Sequence, residues 1–119
     1  MAYLDGFVVP VPKDKKDEYF DLARKMAAKC NDLGAIGGVE AWGDGLEEGK
    51  VTSFPRSVQA TEDENVVFSY ILWPDKATRD KAWEALMADP DMQPGDGMPF
   101  DMKRMFWGGF TPEVDYGEE

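Results

Sequence analysis

The strongest constraint on this chain is a pattern that occurs twice: an apolar run, an amphipathic helix, then a second apolar run. The first copy covers residues 3–9, 14–33 and 39–42. The second covers residues 66–73, 76–88 and 104–110. Two βαβ units in series are the sequence form of a ferredoxin-like α+β sandwich with an antiparallel sheet. The strands add a further constraint. A strand with one wet face alternates apolar and polar residues, but Phe7, Val8 and Val9 do not alternate, nor do residues 66–73 as a whole. Both sheet faces therefore need cover, and two helices supply it on one face only. A second copy of the chain on the other face, in an isologous homodimer, meets the requirement.

A chain of 119 residues is long enough for one domain with its own core. We expect a single domain over 1–119, with the acidic stretch 111–119 frayed. Thirteen basic residues against 24 acidic ones leave a net charge of −11. Such a surface repels phosphate backbones and anionic lipid headgroups, which argues against nucleic acid and membranes as partners. The chain has no histidine. That removes imidazole acid–base chemistry, His-ligated haem and His-containing zinc sites. One cysteine forms no intrachain disulfide, and no apolar run near the start resembles a signal peptide, so the expected location is the cytoplasm.

Helix signals are clear in both units. Asp14 is the expected N-cap of the first helix, Asp21 and Lys25 an i,i+4 pair, and Gly34 its stop. Tyr19, Ala23, Met26, Cys30 and Leu33 recur at spacings of three and four and form one apolar stripe, so Cys30 reads as a small core residue. Asp75 is placed to cap the second helix, with Ala82, Trp83, Leu86 and Met87 facing inward and Pro90 ending it. Residues 51–60 read as an extra strand interrupted by Pro55, joined through an acidic turn to Val66 as an inserted β-hairpin. Gly108 and Gly109 mark a bulge or a close backbone approach. Residues 91–99 read as loop, with a turn at Pro94-Gly95.

Polar residues inside apolar strands are the natural site candidates, because burying them costs free energy unless they are paired. Asp5, Glu40, Ser69 and Arg104 fit that description. Arg104 is expected to form an ion pair with Asp5 or Glu40 across the sheet, or else to bind a carboxylate or enolate oxygen. Arg56 can play the second part from the inserted hairpin. Tyr70, and Trp42 and Trp107 with their flanking glycines, are candidates for lining a flat aromatic pocket, with core or dimer packing the plainer reading of the tryptophans. Asp89, Asp91 and Gln93 have the spacing of the first ligands of a calcium loop, but Pro94 stands where glycine is required and Phe100 where glutamate is, so no metal site is expected.

Several stretches resemble one family closely: residues 3–12 (YLDGFVVPVP), 49–54 (GKVTSF), 66–70 (VVFSY), 87–90 (MADP), and above all 98–101 (MPFD) followed by Lys103-Arg104-Met105 and Gly108-Gly109-Phe110. They are similar to the family called domain of unknown function 1428, the YbaA-like proteins, over residues 1–110. The resemblance implies a dimeric α+β barrel and implies no activity. Pro112 falls where a strand would continue. Fold analogy points to cofactor-independent oxidation or proton transfer on a compact aromatic or carbonyl compound, held between sheet and helices by residues among Asp5, Glu40, Tyr70 and Arg104. The alternative is a non-enzymatic homodimer that binds a ligand or a protein.

Overall fold

The computed structural model describes residues 2–92 and 98–117. Strand β1 spans Tyr3–Pro12, and a single 3-10 turn, Lys13–Lys15, leads into helix α1, Lys16–Asp32. Strand β2 is Gly37–Trp42, the one-turn helix α2 is Phe54–Ser57, and strand β3 is Glu64–Trp73. Helix α3 spans Lys76–Ala88, a second 3-10 turn covers Pro90–Met92, and strand β4 is Phe106–Phe110. The result is a mixed α+β structure with one four-stranded antiparallel sheet of order β2-β3-β1-β4. Residues 111–117 form neither helix nor strand, and Val114 and Tyr116 are exposed.

The doubled pattern explains this order. The long strands β1 and β3 pair over their full length, from Tyr3↔Trp73 to Pro12↔Glu64. Each is flanked by a short outer strand, β4 on β1 and β2 on β3. Side chains alternate between faces along a strand, so the register assigns each residue to a face. Asp5, Phe7, Val9, Ser69, Ile71 and Trp73 share the inner face with Glu40. Both helices pack there: Tyr19 and Ala23 of α1 join Val9, Val11 and Val67 in one cluster, while Cys30, Trp73, Ala82 and Leu86 form another. The expected α1 stripe is therefore the buried one. Met87, expected inward, is instead 73% exposed at the end of α3.

The outer face carries Val8, Val39, Phe68, Tyr70, Phe106 and Phe110. Between Leu4 and Pro10 on β1, and opposite them on the other strands, no outer-face position holds a charged residue. Val39, Phe68, Phe106 and Phe110 are exposed.

The expected caps were partly met. Asp75 Oδ1 accepts from Thr78 N at 2.7 Å and starts α3. Gly34 follows α1 at φ +109°, the left-handed conformation that glycine adopts without strain. Asp14 does not cap α1, because the chain enters the helix through the 3-10 turn and Lys15 occupies the cap position. The helix-surface pair is Arg24–Asp21 at 3.1 Å rather than Asp21–Lys25.

The inserted hairpin is absent. In its place, Ser53 Oγ accepts from Arg56 N at 3.1 Å and Pro55 sits in the first turn of α2. Serine at the cap with proline just inside is a helix-start combination, since proline lacks the N–H that the first turn leaves unpaired. Val58 then packs on Val8 and Val66, covering one end of the outer face, and Phe54 makes an edge contact with Phe68. Pro10 lies within β1, paired with Val66. β4 continues in register without a bulge, but the close approach at Gly109 is real: a Cβ there would overlap the Tyr3 ring and hydroxyl.

Candidate functional site

Two carboxylates lie on the inner face of the sheet, and their partners differ. Asp5, on central strand β1, is fully buried. Its Oδ2 accepts from Trp73 Nε1 at 3.0 Å and Trp83 Nε1 at 2.9 Å. Arg79 Nη2 reaches Oδ1 at 2.8 Å, and Arg79 Nε lies 3.1 Å from both oxygens. Arg79 also pairs with Asp80 at 3.0 Å and lies over the Tyr3 ring. A carboxylate offers about four acceptor sites, and these donors fill them. Asp5 is thereby a latch that ties α3 to β1.

Glu40, on edge strand β2, has hydroxyl partners only. Its Oε1 accepts from Tyr19 Oη at 2.9 Å, and Ser69, in register on β3, also donates to it. The residue as a whole is exposed along the sheet edge, but the carboxyl head turns inward. Burial raises its pKa above the usual carboxylate range, and the two hydroxyl hydrogen bonds oppose that rise. Burial, and then the adjacent Glu40 carboxylate, hold the Tyr19 hydroxyl far above its usual range, so Tyr19 remains a donor. Among the described residues, no lysine or arginine forms an ion pair with Glu40.

Glu40, Tyr19 and Ser69 stand in the wall of a cavity of about 220 Å³ between the inner face and helices α1 and α3. Its other walls are apolar: the rings of Phe7, Trp83 and Phe100, and the side chains of Met26, Met98 and Met105. Met87 and the largely exposed Asp91 stand at its rim. A wider groove of about 490 Å³ runs between α1 and β2, past Arg24, Cys30, Gly38 and Tyr70. The two share Ala23, Met26, Glu40 and Ile71, which puts Glu40 at their boundary. The smaller cavity is the better candidate site although the groove is larger, because mostly apolar walls meet converging polar groups there.

The other candidate residues lie elsewhere. Arg104 is not in a strand, since β4 begins at Phe106. It does not pair with Asp5 or Glu40. Its guanidinium binds Glu64 through Nη2 at 2.6 Å and Nη1 at 2.8 Å, and Nε reaches Asp101 at 2.7 Å. Nη1 also donates to the carbonyl of Gln59 at 2.9 Å. These bonds join the approach to β4 to the segment after α2, and Arg104 holds the Glu64 carboxyl below its usual range. The expected cross-sheet pair fails because Arg79 takes Asp5 and Tyr19 takes Glu40.

Arg56 is exposed on α2, with Nε donating to Glu48 O at 2.7 Å. Trp42 packs edge-on to Phe20 with the Lys16 ammonium over its ring. Trp107, 56% exposed, stacks on Trp83 at 5.8 Å with a 16° interplanar angle. Tyr70 borders only the wider groove. Cys30 is buried, and burial first, then Asp5 and Glu40, push its thiol up to about 11, consistent with an inert core residue. Of the calcium-loop positions, Gln93 and Pro94 lie outside the described residues, as does the turn expected at Pro94-Gly95. Among the described residues no helix is long and apolar enough to cross a membrane.

Two contributors were not foreseen. Arg79 stands three and four residues before Ala82 and Trp83, on the helix face that turns inward, so helical spacing alone could have placed it. Tyr19 belongs to the buried stripe of α1, and its hydroxyl partner, 21 residues away on another element, has no local signature in the sequence.

The chain is a member of the family described as "Protein of unknown function (DUF1428)", whose model matches residues 2–102. It is 49% identical over 116 residues to the "Uncharacterized protein YbaA" of Escherichia coli strain K12, a match covering 97% of this chain and 99% of that protein. The protein of that name from Shigella flexneri matches to the same extent.

Proposed function

We propose that this protein is a homodimer that holds a compact aromatic or carbonyl compound, without a metal, in the cavity between its sheet and its helices. The observation that carries the reading is the cavity of about 220 Å³ with Glu40, Tyr19 and Ser69 in one wall. A dry apolar cavity of about 150 Å³ accommodates benzene, so this one suits a ring with a short arm. A site that pairs a buried-side carboxyl of raised pKa with a hydroxyl donor is suited to moving a proton on such a compound. The non-enzymatic reading, a binding module that uses the same cavity, keeps the ligand and drops the proton transfer.

The order of elements and the strand order β2-β3-β1-β4 support a ferredoxin-like sandwich. The uncharged outer face supports dimerisation as a dimeric α+β barrel. In a chain that is 31% charged, a stretch of sheet with no charge and exposed Phe68, Phe106 and Phe110 is the kind of patch that marks an interface. A second copy covers it self-complementarily. The lone, buried cysteine supports a cytoplasmic location.

The test is binding of 2-phenylethanol to the wild-type protein and to Ala23→Leu, read by calorimetry, together with native mass spectrometry for a co-purified compound. Ala23 lines the cavity, so added side-chain bulk there should weaken binding at least tenfold. Equal binding by both proteins puts the probe elsewhere and removes the cavity reading.

A further inference from the structure

We infer that the cavity selects an organic cation, a protonated primary or secondary amine on a ring-sized apolar body, with its ammonium seated on Glu40. The inference rests on the cavity being a small-molecule site and adds the charge of what it takes.

Three observations converge. First, Glu40 has no cationic partner among the described residues. Tyr19 and Ser69 occupy two of its roughly four acceptor sites. The contrast with Asp5 decides this point: on the same face of the same sheet, Asp5 has Arg79 and two indole donors, and Glu40 has no cation among the described residues. An ammonium would supply the missing charge and use the remaining acceptor sites. Second, among the described residues no lysine or arginine lines the cavity, and Asp91 at the rim is also acidic. Lys29 reaches Asp91 at 3.6 Å and Asp89 at 2.5 Å and does not line the cavity. An anionic ligand would meet a carboxylate with no cation beside it to compensate the repulsion. Third, the walls suit a cation's surroundings. The rings of Phe7, Tyr19, Trp83 and Phe100 present π-faces or edges around a space the size of one ring and a short arm, and a desolvated cation is attracted to ring faces. Arg24 borders only the wider groove and pairs with Asp21. The net charge of −11 raises the local concentration of cations at the mouth.

The experiment compares three probes of one shape: β-phenylethylamine, 2-phenylethanol and 3-phenylpropionate, titrated calorimetrically at low salt and neutral pH. The amine should bind at least tenfold more tightly than the alcohol, and the acid more weakly than either. Glu40→Gln keeps the size and hydrogen-bonding shape of the side chain. It should abolish the preference for amine over alcohol while leaving alcohol binding within about threefold. Should Glu40→Gln fold poorly, Glu40→Asp, which draws the charge back by one methylene, should reduce the preference partially. If alcohol and amine bind the wild type equally, or the acid binds best, the cavity is a ligand site and the cation inference fails. Amine binding that survives Glu40→Gln at full strength places the amine on the acidic surface and also overturns it. If no probe binds and Ala23→Leu changes nothing, the cavity reading fails, and the inference with it.

Discussion

Replacing Arg79 with methionine should cost more stability than any other single change at a charged residue in this protein. Asp5 is fully buried, and three of its five donor contacts come from Arg79. Methionine keeps much of the apolar stem over Tyr3 and removes the guanidinium. The two indoles remain, but a charge stays buried without its counter-ion. Breaking a buried pair in this way costs about 3–5 kcal/mol. Against a total stability of about 5–15 kcal/mol for a domain, that lowers the melting temperature by roughly 10–20 °C. The assay is urea unfolding followed in parallel by circular dichroism and tryptophan fluorescence, since Trp73 and Trp83 are themselves bonded to Asp5. The double variant Asp5→Leu/Arg79→Met should recover much of the loss, because removing both charges leaves nothing unpaired. A single variant that loses less than about 1 kcal/mol, or a double variant no better than the single, would refute the assignment of Asp5 and Arg79 as an obligate buried pair.

Phe68→Asp places a charge at the centre of the outer face and should weaken dimerisation by about 2–4 kcal/mol while the protomer stays folded; a dimer of unchanged strength by sedimentation would contradict the proposed interface. Glu40→Gln should be at least as stable as wild type at neutral pH. Because the folded pKa of Glu40 lies above its unfolded value, the native state binds more protons, so wild-type stability rises as pH falls through that folded pKa and the variant's advantage should vanish in acid, as read from melting temperatures across pH. Arg104→Met should destabilise less than Arg79→Met, since Arg104 binds at a partly exposed site. Glu64 is depressed by Arg104, so the loss should be full at neutral pH and fade only as pH falls through the lowered pKa of Glu64; a loss that grows toward acid would reverse the sign of this argument.

Strand and helix positions were legible because they rest on local periodicity. The apolar runs at 3–9 and 66–73 mark β1 and β3, and the stripe Tyr19, Ala23 and Cys30 marks the buried face of α1. Legibility failed where an apolar run continued past its element or a local cap outranked it. Met105, Phe106 and Trp107 carried the apparent strand back to Arg104, but Asp101, three residues earlier, receives Arg104 Nε and holds the chain in a turn. Val51, Phe54 and Val58 have the look of a strand, yet Ser53 and Pro55 impose a helical turn. The insertion lies on the outer face of its own sheet rather than extending the sheet's edge.

The site itself was half legible, for a physical reason. A polar residue inside an apolar strand is visible in one dimension, and Asp5, Glu40 and Ser69 all stood out. What separates them is the neighbour each meets across the fold, and no local pattern encodes that. Asp5 and Arg79 are 74 residues apart, and Glu40 and Tyr19 are 21 apart on different elements. Arg79 precedes Ala82 and Trp83 by three and four residues, a spacing that turns it inward, but a charged side chain is usually assigned to the solvent face. Once α3 delivers its guanidinium to Asp5, that carboxylate is saturated and structural. Helix α1 delivers only a phenol to Glu40, and the cavity opens beside it. The difference between the two carboxylates is thus set by which residue each helix presents to the sheet, and among the described residues it leaves Glu40 as the inner-face carboxyl without a cationic partner.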